Sequence, residues 1–348
     1  MDFSIGSRKV GGRHRAFIIA ELSANHLQDY KIAVKTIEAM KKAGADAVKV
    51  QTYTPDTITL NSTKSCFRIN QGTLWDGQTL YNLYRKAFMP WDWQPKLKKV
   101  AEKLRLVFFS SPFDKTAVDF LEHMDVPAYK IASFEITDIP LIKYVASKKK
   151  PIIISTGIAR LADIQEAVMA CRSAGNNKLA LLKCTSAYPA PASEANLNTI
   201  PDLAARFNVP AGLSDHSLGT ALPIAAVVLG ACIIEKHFIL DKKMGGADAA
   251  FSLEPQEFAA MVCSIRDVES ALGSVTYKLS KKALKSREFS RSLFVVEDMN
   301  KGDTFTWKNV RSIRPGFGLP PKYIDRIIGK KAKNDIERGA PLRWDYII

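Results

Sequence analysis

Two of the chain's five histidines sit where residue type and spacing point to chemistry. His216 lies in the run GLSDHS that begins at Gly212, and His237 closes GACIIEKH, which begins at Gly230; an apolar, helix-like run separates them. Each has an acid close by, Asp215 beside His216 and Glu235 two positions before His237. Side chains two apart on a strand face the same side, so Ser214 shares a face with His216, and Glu235 with His237. If the two strands are neighbours, both imidazoles project from one rim and can hold a single divalent ion. Taken alone, either histidine fits an ordinary core or surface role. Matched strand ends with carboxylates beside both favour the metal.

The elements that would carry them follow a regular alternation. Short apolar runs at residues 17–21, 47–51, 106–110, 128–132, 151–155, 179–184, 212–216 and 231–237 are expected as buried strands. Helical periodicity fills most intervals. Asp29 is an expected N-cap for a helix with Ile32, Ala33, Ile37 and Met40 on one face, closed by Lys41, Lys42 and Gly44. Trp93, Leu97, Val100 and Leu104 mark another; Val118 and Leu121, then Leu161, Ile164, Val168 and Cys171, mark two more. Pro255 opens a last one carrying Phe258, Met261, Val262, Ile265, Val268 and Leu272. Residues 53–89 show no clear period and are expected as a lid or binding loop, packed down by Phe67, Trp75, Tyr81 and Tyr84. Eight such strand–helix units predict an α/β fold, a closed (β/α)8 TIM barrel, over an open sheet. Polar residues gather at the C-terminal end of nearly every strand: Glu21; Lys49 and Gln51; Ser110 and Ser111; Lys130 and Ser133; Ser155 and Thr156; Lys183 and Thr185; Ser214 and His216; Glu235 and His237. That rim is where barrel enzymes build their sites.

The pattern changes near residue 280. The expected division is a barrel over residues 1–279, a basic linker over 280–287 with Lys281, Lys282, Lys285 and Arg287, and a small β-rich module over 288–348. Within the module DMNKGDTFTWKNV from Asp298 recurs as DIERGAPLRWDYI from Asp335, which predicts a pseudo-symmetric pair with a turn at each Lys/Arg-Gly. Between the two lies the loop RPGFGLPP from Arg314, where the arginine fits a ligand contact and a solvated loop residue equally.

Composition narrows the class. An apolar share of 47% and a charged share of 24% are those of a globular protein. Five scattered cysteines without a CxxC argue against a disulfide framework or zinc knuckle and fit a reducing cytoplasm. No apolar run is long enough for a membrane span. The net charge is +15, concentrated toward the end of the chain, yet no nucleic-acid-binding motif accompanies it. The charge is expected to favour anionic small molecules.

Taken together, the motifs resemble the sialic acid synthase family, which joins phosphoenolpyruvate to an amino-sugar. The resemblance runs through AELSANH (20–26), VKVQT (48–52), YKIAS (129–133), ISTG (154–157), GLSDHS, IEKHF and RPGFG, and the tail resembles the SAF, or antifreeze-like, domain. QTYTPDTITL from Gln51, LWDGQTLYNLY from Leu74 and FSLEPQEF from Phe251 are similar to the branch whose sugar is 2,4-diacetamido-2,4,6-trideoxy-L-altrose. The resemblance implies that His216 and His237 hold a divalent metal, usually manganese, with magnesium or cobalt also suited to two nitrogens and oxygens. It implies that Lys49, Ser111, Lys130, Ser133, Ser155 and Ser214 cradle phosphoenolpyruvate. Glu21 would contact the reacting end of the sugar, Gln51 and Asp248 the rest of it, with Tyr188 beside the ligand and Glu235 a further site carboxylate. Arg314 would reach the barrel of a partner subunit, which implies a domain-swapped homodimer. CTSAYP departs from sialic acid synthases, with Lys183 and Ser186 where those carry His and Asn.

The expected reaction is attack of phosphoenolpyruvate C3 on the sugar aldehyde, water addition at C2, and C–O cleavage that releases phosphate. Glu21 and Glu235 are both candidates to manage protons. Rival expectations are N-acetylneuraminate or legionaminate synthesis, a metal-dependent aldolase that uses pyruvate, and a non-enzymatic polyanion- or ice-binding protein.

Overall fold

The structure is a computed structural model that describes residues 2–70 and 72–348. It divides into a first unit ending at Gly273 and a second, Ser274–Ile348. In the first, a hairpin of β1 (Asp2–Ile5) and β2 (Arg8–Gly11) precedes eight parallel strands: β3 (Phe17–Glu21), β4 (Ala47–Thr52), β5 (Val107–Pro112), β6 (Tyr129–Ile131), β7 (Ile152–Ser155), β8 (Leu179–Cys184), β9 (Ala211–Asp215) and β10 (Ile233–His237). Each pairs with the next and β10 returns to β3, closing the barrel. The expected TIM barrel is the observed fold.

Strand alternation sorts the side chains into two layers. Ile18, Ala20, Val48, Val50, Phe108, Ile154 and Ile234 face outward and pack under the helices. Phe17, Ile19, Ala47, Phe109, Ile153, Ala180, Leu182 and Ile233 face inward, and Ile5 and Val10 of the hairpin pack against them. The hairpin, absent from the expected element list, thus shuts the N-terminal end of the barrel. Its four-residue strands are too short for an alternation to register.

The helices follow the apolar stripes. Tyr30–Lys42 starts at Asp29, whose carboxylate accepts from the amides of Lys31 and Ile32, and buries Ala33, Ile37 and Met40. Pro255–Leu272 buries Phe258, Met261, Val262 and Ile265. Along Leu161–Ser173 the expected face holds except at Leu161, which opens the helix and is exposed. The described residues of the stretch 53–89 hold helices that its lack of period does not suggest. They carry Pro55–Ile58 and Leu80–Ala87, each capped by a threonine, Thr54 and Thr79. Thr199–Phe207, between β8 and β9, is a helix that was also not expected. Among the described residues no helix is long and apolar enough to cross a membrane.

In the second unit, the basic run expected as linker forms the short helix Lys281–Ser286, capped by Ser280. A ribbon of β11 (Ser292–Val295) and β12 (Val310–Ile313) follows; the first echoed segment connects its two strands and the second comes after them. The echo is structural. The Lys301 amide donates to Asp335 Oδ1 at 2.7 Å and the Arg338 amide to Asp298 Oδ1 at 2.8 Å, so each repeat's aspartate caps the other's turn. Gly302 and Gly339, at equivalent turns, both have positive φ.

Gly212 sits at a close approach within the barrel wall: a Cβ there would lie 2.3 Å from the Ile233 carbonyl oxygen and 2.8 Å from Leu182 Cδ2. Gly212→Ala is expected to cost about 1–3 kcal/mol of stability through overpacking. Urea unfolding should show a lower midpoint with an unchanged slope; an unshifted midpoint would mean the strands part without penalty.

Candidate functional site

The same alternation that faces apolar residues into the lower barrel turns polar ones inward at its C-terminal mouth. Glu21, Lys49, Ser111, Lys130, Ser155, Ser214 and Glu235 are all buried there. Burial of so many charges requires that they pair. Lys49 Nζ lies 2.7 Å from Glu21 Oε2 and 3.5 Å from Glu235 Oε1, and donates to Ser111 Oγ at 3.4 Å. Lys130 Nζ lies 3.9 Å from Glu235 Oε1 and donates to Ser155 Oγ at 2.6 Å. Ser214 Oγ donates to Glu235 Oε1 at 3.1 Å, and Gln51 Nε2 donates to Glu21 Oε1 at 3.1 Å. Glu235 Oε2 is buried with no hydrogen-bond partner.

The charges set one another's protonation. Burial works against the Lys49 ammonium, but Glu21 and Glu235 outweigh it and hold the group above its usual range. Burial alone would raise the Glu235 carboxyl; Lys130 and Lys49 hold it below the usual range instead. For Lys130 burial wins over Glu235, and its ammonium lies below the usual range.

The two histidines stand at the adjoining rim, because β9 and β10 are neighbours. Their ring centroids are 5.3 Å apart. His216 Nδ1 lies 3.0 Å from the Thr185 carbonyl oxygen, a contact that places a proton on Nδ1, so that in the neutral ring the lone pair is on Nε2. His237 Nδ1 is 3.5 Å from Asp248 Oδ2 and makes no hydrogen bond. Two buried imidazoles with free nitrogens, one backed by a carboxylate, fit a divalent ion. Among the described residues no group of three or more His, Cys, Asp and Glu forms a ligand set, and an ion held by the two imidazoles would complete its shell with oxygens of water or substrate. Tyr188 stacks over His216 with centroids 4.5 Å apart and touches Trp75 and Phe251, and Trp75 Nε1 donates to the Ala247 carbonyl. This aromatic wall folds part of the long β4–β5 connection over the histidine side of the mouth.

Several rim residues do not face the mouth. Asp215, expected as the acid beside His216, points to the outer side of the sheet and pairs with Lys236; the carboxylate near an imidazole is Asp248. Ser110 donates to the Val50 carbonyl, Thr156 to Leu182 and Thr185 to Glu194. Lys183 donates to the Cys184 carbonyl and lines a separate hollow with Asn198 and Asp202. Ser133 accepts from the Gly157 amide at 3.1 Å and borders the site. Arg314 is exposed in the second unit.

One acid was missed. Glu135, two positions after Ser133, has a buried Oε2 with no partner and lies within electrostatic reach of Lys130. Its place just past a strand end, beside YKIAS, was the available signal.

Residues 36–277 match the NeuB family and residues 290–348 the SAF domain. The chain belongs to the NeuB family. Its relatives include the pseudaminic acid synthase of Campylobacter jejuni subsp. jejuni serotype O:23/36 (strain 81-176), 49% identical over 94% of this chain and 96% of that one. The pseudaminic acid synthase of Helicobacter pylori (strain ATCC 700392 / 26695) is 47% identical over 95% and 97%. Among solved structures, the N-acetylneuraminic acid (sialic acid) synthetase from Leptospira borgpetersenii serovar Hardjo-bovis, in complex with citrate, superposes with a TM-score of 0.74 at 31% identity, covering 82% of this chain and 95% of that one. The NeuB-family match covers β4 to β10 and the mouth residues they carry, and begins after β3 and Glu21.

Burial pushes the Glu135 carboxyl up to about 7. A carboxyl raised in the folded state favours folding fully below the ordinary glutamate value of 4.5, and that contribution is lost as pH rises to about 7. Glu135→Gln should therefore gain stability relative to the unmodified chain between pH 5 and pH 8. Urea midpoints at the two pH values check this, and a constant difference would rule the burial effect out.

Proposed function

We propose that this NeuB-family enzyme condenses phosphoenolpyruvate with 2,4-diacetamido-2,4,6-trideoxy-L-altrose to give pseudaminic acid, with C–O cleavage and release of phosphate. The observation that carries this reading is near-full-length similarity to two pseudaminic acid synthases, coupled with a lysine-lined mouth beside two free imidazoles.

Phosphoenolpyruvate brings a phosphate and a carboxylate, and a buried site must meet both with donors already in place. Lys49 and Lys130, with Ser111, Ser133, Ser155 and Ser214, are the cradle for those two anions. Glu21 and Glu235 keep the lysines from being isolated buried cations before the substrate arrives. C3 of the bound enol forms the new bond to C1 of the open-chain sugar; water then adds at C2, and the C2–O bond to phosphate breaks. Glu21, held by Gln51 and Lys49, faces the sugar end. Glu235 Oε2, free of partners, is available to accept a proton from the attacking water. Gln51 and Asp248 contact the sugar, and Tyr188 closes over it with Trp75, keeping bulk water out.

His216 and His237 would hold a divalent ion, Mn²⁺ by preference, with Mg²⁺ or Co²⁺ as substitutes. Such an ion supplies polarisation of the aldehyde and a more acidic water. Arg314 is proposed to reach phosphoenolpyruvate in the barrel of a second copy, making the enzyme a domain-swapped homodimer. Five unpaired cysteines fit a reducing compartment such as the cytoplasm.

The deciding assay is phosphate release from phosphoenolpyruvate with the altrose derivative beside the sugars that lead to N-acetylneuraminate and legionaminate. Turnover should be fastest with the altrose derivative; a product formed without phosphate would indicate a pyruvate aldolase. His216→Ala should abolish metal-dependent turnover and leave the circular dichroism spectrum unchanged, whereas full activity in chelating buffer would exclude a metal. Arg314→Ala should weaken phosphoenolpyruvate binding, and equal affinity would make it a surface residue.

A further inference from the structure

Behind the two histidines lies a buried ion pair that the proposed chemistry does not use. Asp215 and Lys236 are cross-strand partners on β9 and β10, one register step beyond the pair Ser214 and Glu235. Because successive residues alternate, they point away from the mouth while their neighbours point into it. Both are buried, Lys236 completely. Lys236 Nζ donates to Asp215 Oδ2 at 2.5 Å and to the carbonyl of Ser217. Asp215 Oδ1 accepts from the Ser217 amide at 3.0 Å. One ammonium, attached to the residue before His237, therefore grips the residues on both sides of His216. The His216 carbonyl in turn accepts from the Ala190 amide at 3.0 Å.

Two apolar side chains would serve packing at this position at least as well, since a buried ion pair is weak support for stability. What they would not do is fix the backbone between Asp215 and Ser217. We propose that Asp215 and Lys236 are positioning residues that set the spacing of the His216 and His237 imidazoles for a shared divalent ion. This inference rests on the reading that those two histidines are metal ligands.

The test is Mn²⁺ binding to the full chain, measured directly by electron paramagnetic resonance of the free ion. The variants are Lys236→Met, which keeps the shape of the side chain, and the double variant Lys236→Met with Asp215→Asn. The second removes the carboxylate charge left unpaired in the first and keeps an acceptor for the Ser217 amide, so it provides a folded variant should the single one fail to fold. Either variant, folded, should bind Mn²⁺ about tenfold to a hundredfold more weakly, the usual effect of losing an outer partner of a metal ligand. Affinity for phosphoenolpyruvate in metal-free buffer should not change, because Lys49 and Lys130 stand on β4 and β6. Unchanged Mn²⁺ affinity in a folded variant would overturn the inference. So would a parallel loss of Mn²⁺ and phosphoenolpyruvate affinity, which marks general loosening. His216→Ala serves as the control: if it binds Mn²⁺ as tightly as the unmodified chain, the metal assignment itself fails.

Discussion

A lysine removed from water keeps its proton only beside a carboxylate. The mouth of this barrel holds two such lysines and two glutamates in one chain of contacts, Glu21 to Lys49 to Glu235 to Lys130. The contacts join four different strands, β3, β4, β10 and β6, across the barrel axis. They exist only while the register holds: a slip of one residue in β4 would turn Lys49 out among the helices and leave Glu21 without its cation. Each charge is thus a check on the fold as well as a part of the site.

The rest of the first unit protects that arrangement. The β1–β2 hairpin fills the lower end with Ile5 and Val10, so the barrel is open only at the end that carries charge. At that end Trp75, Tyr188 and Phe251 stand over the imidazoles, and Tyr53 packs against Tyr84 and Phe113 at the root of the long connection. Excluding water there lowers the local dielectric and strengthens each contact that remains. The outer layer contributes as well, since Asp215 and Lys236 tie down the chain around His216 from behind.

Much of this was legible in the residues. Eight apolar runs with polar ends specify a barrel and name the end where its chemistry sits, because a parallel strand buried on both faces has no other place for a charge. Glu21, Lys49, Ser111, Lys130, Ser155, Ser214 and Glu235, which face inward, were named from the family resemblance. The neighbouring rim residues were harder to sort. Ser110, Thr156 and Thr185 are the same residue types at the same strand ends, and they bond to backbone carbonyls instead. Asp215 looked like a companion of His216 and is the partner of Lys236. Glu135 was not singled out at all, yet part of it is buried without a partner.

The amino-acid sequence by itself determined the number and order of the strands, the face each residue takes along its own strand, and the family to which the chain belongs, all properties of local pattern. Tertiary structure alone decided which faces meet across the barrel: that β9 and β10 adjoin, that Asp248 and not Asp215 backs an imidazole, and that a terminal hairpin shuts the far end. Those outcomes depend on contacts between residues far apart in the chain, and no periodicity within a single segment carries them.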